Sequence, residues 1–326
     1  MTEMDVADES AVAAARRRAL VAGAAVGLDD VRAGQLALIA TELATNLLKH
    51  GGGGKLLVGD GHHHVDLLAL DKGRGMKDLD QCLADGFSTV GTPGNGLGAV
   101  RRLAQAFHVA SWPDRGTAVL ARVVQQDVAA PPRESVGGLS VAMPGEQACG
   151  DGWASHTSEQ ATSLFVVDGL GHGFEAARAA NEALQQFQRA PEAPVAELIE
   201  AVHLAMRATR GGAVAVARID RAACTVAYAG LGNIAAALVS TGGQVRHLVS
   251  LSGIAGHNAR KIHAFEYPCT EGLLIMHSDG LGTGWTSHLY PGFTRLDPML
   301  LAGMLYRDFA RGRDDTTVVV ARTGRS

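Results

Sequence analysis

Apolar residues follow two periodicities along this chain, and the change from one to the other divides it. In the first third, Leu36, Ile39, Leu43 and Leu47 recur three and four positions apart, the spacing that lines one face of a helix. This predicts a helix from Asp29 or Asp30 to Leu48, preceded by an Ala-rich helix that Ser10 caps and Gly27 stops. Short apolar runs predict strands over 55–58 and 65–70. A loop-rich stretch from Asp71 to Gly96 follows, then a helix over 97–107 and strands over 109–111 and 118–124. Residues 1–125 therefore read as an α/β layer, helices on a sheet.

From residue 137 onward the strand period dominates. Apolar runs predict strands over 139–143, 163–167, 213–219, 224–228, 235–239, 245–249, 263–267, 273–277 and 317–322. Helical patterns interrupt them at 174–189, 195–209 and 298–311, the last with Pro298 at a favoured first position. Many antiparallel-compatible strands with few helices predict a β-sandwich covered by helices. Between the halves, QQDVAAPPRES has a Pro pair and no periodicity, which is linker chemistry. The expected organisation is 1–125, a linker over 126–136, and 137–326.

Composition narrows the class without changing this division. A chain of 326 residues is long enough for two cores. A formal net charge of −4 gives no electrostatic footprint for nucleic acid, and Arg16-Arg17-Arg18 reads as a solvated helix face. The four cysteines lack Cys-x-x-Cys spacing, which argues against zinc and a disulfide framework and for a reducing cytoplasm. The acidic start MTEMDVADES has no signal-like apolar core, and no run approaches the ~20 residues needed to span a bilayer. The expectation is a cytoplasmic protein with no membrane partner.

The candidate chemistry comes as two acidic constellations. Glu42 and Asn46 lie four apart on the second helix and so project from one face. Asn46 can ligate magnesium through its amide oxygen, and Glu42 can accept a proton from an attacking hydroxyl. Asp71 can accept a hydrogen bond from an exocyclic amine, beside Gly73 and Gly75 that permit close backbone approach. Gly94, Gly96 and Gly98 open a helix whose N-terminus favours phosphate. In that order, these groups describe an ATP site.

The segments TELATNLLKHG, LDKGRGM and TPGNGLGAVRRLAQAFHV, followed by GTAVLARV, resemble the nucleotide-binding boxes and closing strand of the GHKL (Bergerat-fold) ATPases. Within that superfamily they are most similar to the RsbT-like anti-sigma-factor and stressosome serine/threonine kinases, over nearly all of 10–124. The resemblance implies an α/β sandwich with helices on a mixed sheet over 1–125, with Glu42 as the catalytic base, Asn46 the magnesium ligand and Asp71 the adenine contact, and Gly73, Gly75, Gly94, Gly96 and Gly98 around the nucleotide. It also implies that Thr117 sits near adenine. Lys49 and His50 read as an exposed helix end or as phosphate contacts. No phosphoacceptor histidine on a dimerisation helix precedes the first box, so transfer to Ser or Thr is preferred.

The second constellation is made of Asp151, Asp168 with the carbonyl of Gly169, Asp279 and Asp314, each at the end of an apolar run. Hydrolysing a phosphomonoester is helped by a two-metal centre, and hard oxygen ligands suit magnesium or manganese. The segments CGDGWA, VVDGLGHG, RGGAVAVARI, GLGNIAAAL, MHSDGL and GRDDTTVVVAR resemble the PPM-type, SpoIIE-like protein phosphatases, including their RsbX-like stressosome members. The resemblance implies an α-β-β-α sandwich and ligation of two Mn or Mg ions by Asp151, Asp168, Gly169, Asp279 and Asp314, with Asp315 supporting the last. His172 reads as a turn histidine or a donor to phosphate, Asn233 as a turn residue, and the cysteines as core positions.

Together these resemblances imply an ATP-dependent serine/threonine kinase joined to a metal-dependent phosphoserine/phosphothreonine phosphatase. The implied partner is a STAS-type anti-sigma antagonist or stressosome scaffold protein. The alternative left open by the residues is a phosphatase whose ATP domain senses adenylate or docks a partner, such as a sigma factor or a downstream phosphatase.

Overall fold

A computed structural model describes residues 1–83, 96–126, 128, 135–259 and 261–324. The chain divides into two compact units, 1–133 and 134–326.

The first unit opens on strand β1 (Thr2–Val6), followed by helices α1 (Glu9–Ala25) and α2 (Asp30–Gly51). Asp8, not Ser10, caps α1: its carboxylate accepts from Ser10 N at 2.8 Å and Ala11 N at 3.2 Å. Asp29 caps α2 by accepting from Arg32 N at 2.8 Å, and Gly52 ends it in the left-handed region at φ 69°. There follow β2 (Gly54–Asp60), β3 (His64–Leu70), the short α3 (Leu79–Leu83), α4 (Gly96–Leu103), β4 (Ala106–Ser111) and β5 (Thr117–Val124). The strands form one sheet in the order β1-β2-β3-β5-β4. Leu36, Ile39, Leu43 and Leu47 of α2 pack with Leu56, Val65, Leu67, Val119 and Val123 in one core, which is the face the helical spacing predicted.

The two-layer α/β arrangement matches expectation, with one refinement. All four pairings described in this sheet are antiparallel, where a mixed sheet was expected. The physical reason is that β5 lies between β3 and β4. Those two strands run in the same direction but are not neighbours, because the β4–β5 hairpin inserts β5 between them.

The second unit contains β6 (Val136–Val141), β7 (Asp151–Thr157), β8 (Ala161–Gly169), α5 (Phe174–Arg189) and α6 (Val195–Ala205). It continues with β9 (Gly212–Asp220), β10 (Thr225–Leu231), β11 (Ala235–Ser240), β12 (Val245–His247), β13 (Phe265–Pro268), β14 (Gly272–His277), α7 (Pro298–Phe309) and β15 (Thr316–Arg322). One sheet runs β13-β10-β9-β8-β7 and the other β12-β11-β14-β15-β6. Between them lies a core of Leu164, Val166, Ala215, Tyr228, Leu274, Met276 and Val319. Helices α5 and α6 cover the outer face of the first sheet through Phe165, Val167, Phe187 and Ile199, while α7 packs on β6 and β15 of the second. The result is the α-β-β-α sandwich. No helix among the described residues is long and apolar enough to cross a membrane.

Candidate functional site

In the first unit, Glu42 and Asn46 sit one turn apart on α2, and α4 brings Gly96 over them. A Cβ built on Gly96 would lie 3.4 Å from Asn46 Oδ1 and 4.0 Å from Glu42 Oε2, so glycine lets the chain approach both groups. The side-chain nitrogen of Asn46 is buried and has no hydrogen-bond partner among the described residues. A half-turn of that amide exchanges its oxygen and nitrogen and would set the oxygen, a ligand for a cation, at the unsatisfied position. Gly98 is buried inside the first turn of α4. Gly94 lies outside the described residues.

Asp71 follows β3 and rests against the last turn of α2, its Cβ 2.7 Å from where a Gly51 side chain would begin. Its Oδ1 accepts from Gly73 N at 2.8 Å and from Thr117 N at 3.2 Å, so two backbone amides fix the carboxylate. Thr117 Oγ1 lies 2.9 Å from Ser111 Oγ, which accepts in turn from Met76 N at 2.8 Å. That network ties the 71–76 loop to the β4–β5 hairpin. Gly75 has φ 62° and its back meets the Trp112 carbonyl, while Gly116 has φ 73° and backs onto the Asp71 carbonyl. Gly51 lies five positions after Asn46 on α2, about 7–8 Å along the axis, so Asn46 and Asp71 mark the ends of one strip. Lys49 and His50 are exposed at the helix end, and burial, then Arg74 and Lys49, hold His50 below the usual imidazole range.

Gly75→Ala is a direct test of this loop. It demands a left-handed backbone from an L-residue and drives a methyl into the Trp112 carbonyl. Nucleotide affinity measured by calorimetry is expected to fall by roughly tenfold or more, since 1.4 kcal/mol is one decade and strained sites cost of order 1–3 kcal/mol.

In the second unit, Asp151 opens β7 and Asp168 is the last residue but one of β8, and the two are direct cross-strand partners. Two like charges in that position repel. Burial, then the negative charge of Asp168, holds Asp151 well above the carboxylate range, with the Ser278 hydroxyl pulling the other way. Burial, then Asp279, Asp314 and Asp315, push Asp168 up to about 7. Asp279 follows β14 and Asp314 precedes β15, neighbouring strands whose antiparallel register brings the two to one end. The predicted carboxylates therefore converge.

The surrounding backbone is built to hold them there. Asp315, 2 % exposed, accepts from Met143 N and Gly150 N, both at 2.6 Å, and its own amide donates to Asp314 Oδ1 at 2.9 Å. Gly169 N donates to Gly150 O at 2.9 Å, and a side chain on Gly169 would meet that same oxygen. Asp151 Oδ2 is buried without a hydrogen-bond partner among the described residues. An unpaired buried carboxylate oxygen beside a second carboxylate is a poor arrangement for a protein alone and a good one for a cation. Among the described residues no three His, Cys, Asp or Glu side chains form a ready-made cage.

The Stage II sporulation protein E (SpoIIE) family matches residues 158–324, more than half of the chain. The chain belongs to the SpoIIE family. Ahead of the SpoIIE domain, a Histidine kinase-like ATPase domain matches residues 6–123. The serine/threonine-protein kinase RsbT of Bacillus subtilis (strain 168) is 30% identical over 125 residues, 37% of this chain and 90% of RsbT. A chain from a structure of the bacterial stressosome, described as a modular system adapted to control secondary messenger signalling, is 32% identical with a TM-score of 0.53. It covers 58% of this chain and 98% of its own length. A crystal structure of RsbX in complex with magnesium has a TM-score of 0.53 at 22% identity, covering 59% of this chain and 97% of that one. It supports the fold.

Several groups around the SpoIIE-family site were not legible as site residues. Asn233, read as a turn residue, donates from Nδ2 to Asp279 Oδ2 at 2.8 Å. Ser278 donates the hydroxyl that acts on Asp151 and accepts from Thr317 N at 2.9 Å. In the ATPase unit Ser111 carried no motif at all, and only its register opposite Thr117 gives it away. The cysteines also differ from expectation: Cys224 is exposed in the turn between β9 and β10, with φ 53°. Burial, then Asp151 and Asp315, push the Cys149 thiol up to about 12.

Proposed function

We propose that this chain is a bifunctional partner-switching regulator. Its ATPase unit transfers the γ-phosphoryl group of ATP to Ser or Thr of a STAS-type protein, an anti-sigma antagonist or stressosome scaffold, and its phosphatase unit hydrolyses such phosphoproteins. The boundary is placed at 126–136, and a cytoplasmic location belongs to the same reading. The observation that carries it is the meeting of Glu42, Asn46 and Gly96 on one face of a unit 30% identical to RsbT, in a chain that also carries the SpoIIE domain.

In the kinase step, Glu42 takes the proton of the attacking hydroxyl as its oxygen bonds to the γ-phosphorus and the ADP oxygen leaves. Asn46 would hold the nucleotide's magnesium, Asp71 would accept from the adenine amine, and Gly96 lets the α4 backbone close on the phosphates. In the phosphatase unit Asp151, Asp168 with the Gly169 carbonyl, Asp279 and Asp314 would hold two magnesium or manganese ions. When bound, those ions supply an activated water and neutralise the phosphoryl oxygens. Asn233 orients Asp279, and Asp315 holds the Met143 and Gly150 amides so that the loop entering β7 keeps its place.

Asp71→Asn is expected to weaken ATP binding by roughly 10–100-fold, because a hydrogen bond to a charged group contributes about 1.5–3 kcal/mol and the amide offers a donor where adenine presents one. Unchanged affinity in calorimetry would remove Asp71 from the adenine contact. The whole reading is tested with purified protein, radiolabelled ATP and candidate STAS proteins, following both transfer and release of label. Nucleotide binding with no transfer to any of them would leave a sensing or docking module in place of a kinase.

A further inference from the structure

The loop from Asp168 to Phe174 carries features that ligand geometry for a metal does not require. Leu170 and Phe174 hold large apolar side chains in solvent, 42% and 71% exposed. Between them, Gly171 has φ 85°, and a Cβ built there would lie 3.2 Å from Arg210 Nη1. The Arg210 guanidinium is thus seated on the loop. Arg210 is exposed, and among the described residues no hydrogen bond or ion pair holds its guanidinium.

Its backbone, by contrast, is anchored on both sides. The Arg210 carbonyl oxygen lies 2.9 Å from His257 Nε2, Leu170 N donates to Gly211 O at 2.9 Å, and Gly212 and Ala255 exchange hydrogen bonds at 3.1 and 2.8 Å. A rooted but unpaired guanidinium suits capture of a planar or tetrahedral oxyanion, which it can bind through two N–H donors. Gly171 is two residues from Gly169, at most ~7 Å along an extended chain. A phosphoryl group held beside Gly169 therefore falls within reach of a guanidinium resting on Gly171.

We infer that Arg210 anchors the phosphoryl group of the phosphatase substrate, and that Leu170 and Phe174 take apolar residues of the protein that carries it. This rests on the reading of Asp168 and Gly169 as metal ligands. A phosphomonoester brings about −1.5 to −2 charge toward a cluster of carboxylates, and a cation seated on the adjoining loop offsets what bound metal leaves uncompensated. Exposed apolar side chains flanking a phosphate anchor select a protein over a small phosphate ester, since they have nothing to bury against in the latter.

The test uses the full chain with manganese and three probes: p-nitrophenyl phosphate, a Leu-phosphoserine-Leu peptide and a Ser-phosphoserine-Ser peptide. The affinity of inorganic phosphate for the manganese-loaded chain is measured by calorimetry alongside. Arg210→Ala is expected to raise KM for all three probes and weaken phosphate binding by roughly 10–100-fold, the range for a hydrogen bond to a charged group. Arg210→Lys keeps an aliphatic stem over Gly171 but loses the paired donors, so it is expected to recover only part of this. Full recovery by lysine, or no change in alanine, would overturn the anchor. Phe174→Ser is expected to bring the preference for the leucine-flanked peptide close to one, and an unaltered preference would overturn the apolar contact. If Asp168→Asn retains full metal-dependent turnover, the metal reading itself has failed. If Asp168→Asn is inactive while Arg210→Ala binds phosphate normally, only this inference has.

Discussion

Replacing Glu42 by alanine is expected to cut phosphoryl transfer by roughly 10²–10⁴-fold while leaving ATP affinity within several-fold, because a general base acts in the transition state and adds little to ground-state binding. The geometry explains why the effect should be selective. Glu42 is one helical turn from Asn46 and faces the Gly96 backbone, whereas the Asp71 carboxylate is fixed at the other end of the strip by Gly73 and Thr117. Removing Glu42 leaves that end and the glycine contacts intact. Glu42→Gln keeps the shape but cannot accept the proton, so it should lose as much as alanine. Transfer of radiolabelled phosphate to the partner and calorimetric ATP affinity, measured on the same preparations, separate the two effects. Full transfer in either variant would take Glu42 out of the mechanism.

How much of this was readable in advance depended on whether a signal was local. The face of α2 was legible because Leu36, Ile39, Leu43 and Leu47 repeat at helical spacing over a long element, and they are the residues buried in the core. Strands such as β9 and β14 were legible because both their faces are buried, which writes a continuous apolar run. Strand β1 was missed because only Met4 and Val6 turn inward, too few positions to establish a period of two in an acidic segment. Strand β7 was missed because an edge strand reading DGWASHT carries polar residues and glycine where a central strand would carry valine. The glycine and aspartate motifs gave the site's ends, but not its supports. Asn233 reaches Asp279 across 46 positions and Asp315 reaches Met143 across 172, and no local pattern records a partner that distant.

Asp168→Asn is expected to abolish metal-dependent phosphatase turnover and at the same time to stabilise the metal-free protein. The first effect follows from the charge stabilisation that a metal centre supplies, several kcal/mol, or roughly 10²–10³-fold in rate at 1.36 kcal/mol per decade. The second follows from repulsion. Burial and the neighbouring Asp279, Asp314 and Asp315 push Asp168 up to about 7, above its unfolded value of 3.8, so the folded state resists ionising it. The sign of the pH dependence is then fixed: between those two values the folded protein binds more protons than the unfolded chain, and stability falls as pH rises through the window. Asparagine carries no charge there, so the variant should lose this part of the slope. Manganese or magnesium should reverse it in the wild type, adding about 2.7 kcal/mol at a concentration 100-fold above its dissociation constant, and should do little for Asp168→Asn. Kinase transfer should be unaffected in the variant, since the two constellations share no residue. Thermal unfolding from pH 4 to 8 with and without manganese, run beside phosphate release and ATP transfer, reads all of these. A wild type whose melting temperature does not respond to metal, or phosphate release that survives chelation, would sink the two-metal reading of this site.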